Sequence, residues 1–284
     1  MNTKIWFGII ALLTIAILIL VVLRVRNDRS AREIGQYLLV QRLMPTLATS
    51  PRTEKFTPEL VADLPEPVQR YFLHAIQPDT PLASAVQIKM QGSLKLEQGW
   101  MPMQADEILS TKGLLWRAAV GTGLVRFFVA DRYVNQSGQV YVTLWGAIPI
   151  VNQQDPNITR ASLGRLAIEY IWLPSVLLPQ RGVQWQAIDN NTITASFKID
   201  EEPLILTLVI DRDGRVLQVM MPRWGEDKVE KGTFAYLPYG AAFAEEGTFA
   251  GYTVPSQIGV GWWFGTERYE ETFRATVSQA DYSM

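Results

Sequence analysis

Most hydrolases and zinc sites draw on histidine and cysteine, and this chain of 284 residues has one His and no Cys. Zinc sites of the Cys/His type and Ser-His-Asp or Cys-His nucleophilic systems therefore have almost nothing to work with. The one histidine, His74, follows Arg70 by four residues, and Arg70 follows Glu66 by four, so the sequence places it on a solvated charge ladder along a helix. Gly121 to Gly123 is too short to cradle a phosphate and lacks the helix start and the downstream Lys-Ser/Thr; it reads as a turn. No metal site and no cofactor is expected.

Carboxylates remain. Glu226-Asp227, Glu245-Glu246 and Glu270-Glu271 are adjacent pairs, but neighbours on a strand point to opposite faces, and a carboxylate-dependent hydrolase needs two acids converging. Glu169 is the more informative acid, being the sole charge between Leu166 and Pro179, with Arg165 four residues before it. It reads either as half of an i, i+4 ion pair on an exposed stripe or as a buried acid, with Arg165 or Arg223 orienting a substrate.

Nine Trp, ten Tyr and eleven Phe supply the other chemistry. Aromatic rings with a polar tip suit ligand cavities and membrane interfaces, and they also fill large cores. The candidate ligand-binding set is Glu169, Tyr170, Trp172, Arg223, Tyr236, Tyr239, Trp262 and Trp263. The preferred reading is a non-enzymatic, membrane-tethered domain binding an apolar or amphipathic ligand such as lipid. The alternative is a structural or assembly module docking a protein partner through a sheet edge or through the segment Pro222 to Ser256, which reads as a long aromatic loop. A net charge of -2 lacks the positive field that nucleic acid requires.

These residues must be held by the elements the pattern implies. Ile5 to Leu23 is a run without a charged residue. Its 19 residues span roughly 28 Å as a helix, close to the hydrocarbon thickness of a bilayer. Arg24 and Arg26 follow where a signal peptide would carry small residues before a cut, so one uncleaved transmembrane helix is expected, with a single-pass location in the cell membrane and the bilayer as partner. Charge bias favours a cytoplasmic domain, whereas long domains cross membranes largely regardless of charge, so the side is left open. Residues 1–27 form the anchor, 28–57 a juxtamembrane helix and Pro-interrupted linker, and 58–284 a single β-rich domain.

Within that domain Thr57-Pro58-Glu59 signals a helix start, and Val68, Tyr71, Phe72, Ala75 and Ile76 mark the core stripe of a second helix. From Val86 the period becomes two, and hairpin signals divide strands up to Trp145. Asp155 and Pro156 open one further helix, and more strands follow from Val183, with Asp211 to Gly214 as a hairpin turn. The predicted class is α+β, mainly antiparallel β: a curved sheet or half-barrel with a few packed helices, preceded by the transmembrane helix.

Three segments, LPEPVQRYF at 64–72, WMPMQAD at 100–106 and RLAIEYIWLPSVLLPQRGVQWQAID at 165–189, resemble an uncharacterised bacterial family of membrane-anchored domains of unknown function. The likeness extends over most of residues 60–280 and implies no activity, so no catalytic role is carried over. At the level of fold alone, the chain is also similar to the lipoprotein-carrier and related lipid-binding half-barrels, in which a curved sheet wraps helices around an apolar cavity.

Overall fold

A computed structural model describes residues 2–39, 54–97, 99–227 and 232–284, apart from the side chains of residues 2–8 and 11. Much of the 45–57 linker lies outside the described residues. Alternation of side chains builds the domain: in β1 (Ala85–Leu96), Val86, Ile88 and Met90 are buried while Lys89 and Gln91 face solvent. The chain continues through β2 (Gly99–Ser110), β3 (Gly113–Thr122), β4 (Val125–Val134), β5 (Ser137–Leu144) and β6 (Ile148–Gln153). After the helix α3 (Pro156–Glu169) come β7 (Gln184–Ala187), β8 (Thr192–Ile199), β9 (Glu202–Ile210) and β10 (Val216–Glu226), then β11 (Phe234–Phe249), β12 (Tyr252–Trp262) and β13 (Glu270–Ser283).

These strands make one antiparallel sheet of 13 in the order β6-β5-β4-β3-β2-β1-β13-β12-β11-β10-β9-β8-β7. Two meanders thus meet at the β1–β13 pair, where Ala85 lies opposite Ser283 and Leu94 opposite Phe273. β6 and β7 are left as edges, so the sheet is open. It is also strongly curved. Tyr133 on β4 donates to Asp200, in the turn between β8 and β9, at 2.6 Å, although these strands stand far apart in the order.

α3 lies in the hollow. Asp155 caps it by accepting from the backbone N–H groups of Asn157 at 2.8 Å and Ile158 at 3.1 Å, satisfying donors the first turn leaves orphaned. The chain then crosses the concave face in short 3-10 turns between Tyr170 and Arg181, with Leu173, Leu177 and Leu178 essentially inaccessible. Polar tips in this crossing find carbonyls: Trp172 Nε1 donates to Pro255 at 2.9 Å, Ser175 Oγ to Ala83 at 2.6 Å, and Trp185 Nε1 to Leu177 at 2.9 Å. α2 (Glu66–Ala75) seals one end with Tyr71 and Phe72, whose rings lie 5.6 and 5.4 Å from Trp185.

α1 (Asn2–Leu39) is a single helix of 38 residues. Its second half packs on the outer face of the sheet: Asp28 pairs with Arg117 at 2.9 Å, Gly35 faces Ile108, and Leu38 is buried. Among its earlier residues with described side chains, Leu12, Leu13, Ile15 and Val22 are all exposed. Counted over the residues whose side chains are described, no helix is long and apolar enough to cross a membrane.

Three expectations need correction. Pro222 to Ser256 is not a long loop: β10, β11 and the start of β12 run through it. Its glycines and aromatics are complementary, since a Cβ on Gly225 would sit 2.4 Å from the Trp262 ring and one on Gly240 2.7 Å from Phe264, so the strands hold rings over glycine gaps. His74 leaves the Glu66–Arg70 ladder and meets Glu246 of β11 at 2.9 Å, because α2 packs against the sheet on that side. Thr57 precedes only a short 3-10 turn, Pro58–Val61, and makes no side-chain cap.

Candidate functional site

The strand register aims two acids into the hollow. Along β2, Met103, Ala105, Glu107 and Leu109 are all buried and share the inner face, so Glu107 occupies a position that alternation assigns to an apolar residue. On β4 the same logic points Asp131 inward in line with Val129 and Tyr133. α3 brings Arg165 and Glu169, one turn apart, over both. Arg165 Nη1 donates to Asp131 at 2.7 Å and Arg165 Nε to Glu169 at 2.8 Å, while the guanidinium carbon stands 4.8 Å from the centre of the Trp116 ring. The side chains of all three charged residues are within 14% of full burial.

Burial opposes the charge on Arg165, but the Glu169 and Asp131 carboxylates outweigh it and hold the guanidinium more firmly protonated than in water. Glu107 is the reverse case. Desolvation, reinforced by the negative Glu169, raises its pKa well above the ordinary carboxylate range. A hydrogen bond from the Glu107 carboxyl to that of Glu169 adds to the rise. The raised pKa favours its neutral form, so Glu107 adds no third negative charge to a cluster in which one guanidinium already faces two carboxylates.

Beside this cluster is a cavity of about 330 Å³. Met90, Val129, Ile168, Ile171, Val219 and Phe273 give it apolar walls, and Trp172 contributes at its deep side. Its second cation, Arg223 of β10, is held differently from Arg165. Arg223 Nε donates to the Ala161 carbonyl at 3.1 Å, and its guanidinium carbon lies 4.5 Å from the Tyr239 ring centre and 5.2 Å from that of Trp262. Among the described residues it has no carboxylate partner, so its terminal amino groups are uncommitted. Burial raises the pKa of the Tyr239 hydroxyl, which therefore stays a neutral donor. Trp262, Thr272, Phe273 and Leu94, where β1 and β12 end and β13 begins, are half-buried, as are Val129, Asp131 and Val140 of β4 and β5.

Of the residues singled out from sequence, Glu169, Trp172, Arg223, Tyr239 and Trp262 line this one cavity. Three stand elsewhere. Tyr170 is buried with its ring 6.2 Å from Phe197; Tyr236 is exposed and donates to Glu202; Trp263 lies on the outside under Arg268, whose guanidinium carbon is 3.6 Å from the ring centre. Adjacent Trp262 and Trp263 diverge because residue 262 ends a strand and Trp263 turns with φ 57°. Glu107, Asp131 and Trp116 are site residues that the sequence reading missed. The signal for the two acids was present as a carboxylate standing in the inward register of an otherwise apolar strand.

An open antiparallel half-barrel, with a helix laid in its hollow and a ligand-sized cavity beside that helix, is the class that fold and site define. The chain belongs to DUF6920, a family of unknown function, whose model matches residues 62–282. No curated protein matches it. Among solved structures it is similar to a domain described as outer membrane lipoprotein-sorting from Vibrio parahaemolyticus, at 8% identity over 70% of this chain and 85% of that one, with a TM-score of 0.35. It is similar also to a DUF1329 family protein from Desulfovibrio piger, at 12% identity, 70% and 86% coverage and a TM-score of 0.34. A LolA superfamily protein from Nitrosomonas europaea shares 8% identity over 77% of this chain and 92% of that one, with a TM-score of 0.34.

Proposed function

We propose that this protein is a membrane-tethered, non-enzymatic binder of an amphipathic ligand, an acyl lipid whose tail fills the cavity and whose acidic head meets Arg223. The observation that carries this reading is the cavity itself: about 330 Å³, walled mainly by aliphatic and aromatic side chains, with the Glu107, Asp131, Arg165 and Glu169 cluster on its lining and one guanidinium, that of Arg223, without a carboxylate partner among the described residues. Ligand sites are commonly of this size or larger, mostly apolar, with a few placed polar groups. Arg165 cannot serve as the head-group site because two carboxylates already occupy it. For the same reason Glu169 is a structural counter-ion rather than a catalytic acid.

The tether rests on the uncharged run from Ile5 to Leu23 and on the exposure of Leu12, Leu13, Ile15 and Val22 within it. Ala241 is buried and lines the cavity, so Ala241→Trp should fill it from the sheet side. Titration with a fluorescent long-chain fatty acid should show saturable uptake by the natural chain and loss of it in the variant, with circular dichroism unchanged. Uptake that survives the filled cavity would place the ligand elsewhere and remove the proposal.

A further inference from the structure

α1 is not merely attached to the domain; its contacts fix which end of the sheet it leaves from. Arg24 donates to the Trp145 carbonyl at 3.5 Å and Asn27 to that of Gly146 at 3.2 Å, both in the β5–β6 turn. Asp28 then pairs with Arg117 in the middle of β3, and Tyr37 donates to Asn135, in the β4–β5 turn at the opposite end, at 3.1 Å. The helix therefore runs along the strands. Its uncharged run ends at Leu23, one residue before Arg24, and so projects from the end that carries the β5–β6 turn.

That same end is greasy. Leu124 and Val125, in and beside the β3–β4 turn, are 85% and 53% exposed, and Trp145, Ile148 and Ile150 of the β5–β6 hairpin are exposed as well. Trp145 Nε1 donates to the Leu124 carbonyl at 2.9 Å, which ties the two turns into one rim. Arg24 and Arg126 flank it, with their guanidinium carbons 5.2 and 5.5 Å from the Phe128 ring centre. The β2–β3 and β4–β5 turns, at the other ends of these strands, carry Thr111-Lys112 and Asn135-Gln136 instead. A contiguous apolar rim with an interfacial tryptophan and flanking arginines has the composition of a segment seated at the headgroup level of a bilayer.

We infer that the rim of Leu124, Val125, Trp145, Ile148 and Ile150 seats in the surface of the phospholipid bilayer. This rests on the tether proposed above. It adds an orientation: the end of the domain that carries the β5–β6 turn faces the membrane.

The absence of cysteine makes the test simple, because any introduced thiol is unique. The full chain carrying Leu124→Cys, Ile150→Cys, Gln136→Cys or Leu12→Cys is labelled with an environment-sensitive fluorophore. Each is reconstituted in phosphatidylcholine–phosphatidylglycerol vesicles with or without lipids nitroxide-labelled on the acyl chain. The inference expects a blue shift and nitroxide quenching at positions 12, 124 and 150, and neither at 136, which lies in the opposite turns. Quenching at 12 without quenching at 124 or 150 overturns the seated rim and leaves the tether standing. Quenching at 136 equal to that at 124 overturns the orientation. An unquenched label at 12 overturns the tether and the inference with it.

Discussion

Replacing Arg223 by Met separates the head-group contact from the rest of the site. Among the described residues the guanidinium makes one hydrogen bond, to Ala161, and stands against two rings, leaving its terminal amino groups for an acidic head. Methionine keeps much of the stem's packing and removes the charge. A charge-assisted hydrogen bond contributes about 1.5 to 3 kcal/mol, so a fatty acid should bind about 10- to 150-fold more weakly to the variant. The corresponding fatty alcohol, which lacks the charge, should lose far less. Stability should fall slightly, since two half-exposed cation–π contacts are each worth about 0.5 to 1 kcal/mol. Competition against a fluorescent fatty acid, run with acid and alcohol on both proteins, reads the difference directly. Equal loss for acid and alcohol, or no loss for either, would refute Arg223 as the head-group site.

Arg165→Met should cost about 3 to 5 kcal/mol by stranding the Asp131 and Glu169 carboxylates in the hollow, measured as a lower denaturant midpoint. Adding Asp131→Asn and Glu169→Gln to that variant should restore much of the loss; failure to recover would mean that the triad matters for something other than charge balance. Glu107 binds its proton more tightly in the fold than in the unfolded chain, so its contribution is fully present below the unfolded carboxyl's pKa and is lost as pH rises through the raised native value. Glu107→Gln should therefore flatten the decline in melting temperature on the alkaline side of the carboxylate range, and parallel profiles would show that Glu107 is ionised in the fold. Gly225→Val should displace the Trp262 ring, lowering stability by about 1 to 3 kcal/mol and weakening fatty-acid binding through the loosened Arg223.

The fold was largely legible because side-chain alternation is a local property. Period two in Val86 to Leu96 and the cap at Asp155 each depend only on neighbours in sequence, and they mark β1 and the start of α3. Pro222 to Ser256 misled because its glycines signal irregularity when read alone. Their purpose appears only once Trp262 and Phe264, distant in sequence, lie across Gly225 and Gly240. The site was half legible. Glu169 and Trp172 stood out as a charge and a ring in an apolar segment. Glu107 and Asp131 did not, because the alternation that turns each inward is local, while the Arg165 and Glu169 they meet lie on α3 and are brought there only by the fold. Tyr236 and Trp263 were drawn in by composition and lie outside the cavity, one on the far strand surface and the other beyond a strand end.

Native mass spectrometry of the full chain released from mild detergent tests the central claim most directly. The account predicts a population carrying one acyl-chain ligand of discrete mass, abolished by Ala241→Trp and diminished by Arg223→Met. Consistently empty protein that also fails to take up added fatty acid, or an adduct indifferent to both substitutions, would contradict it.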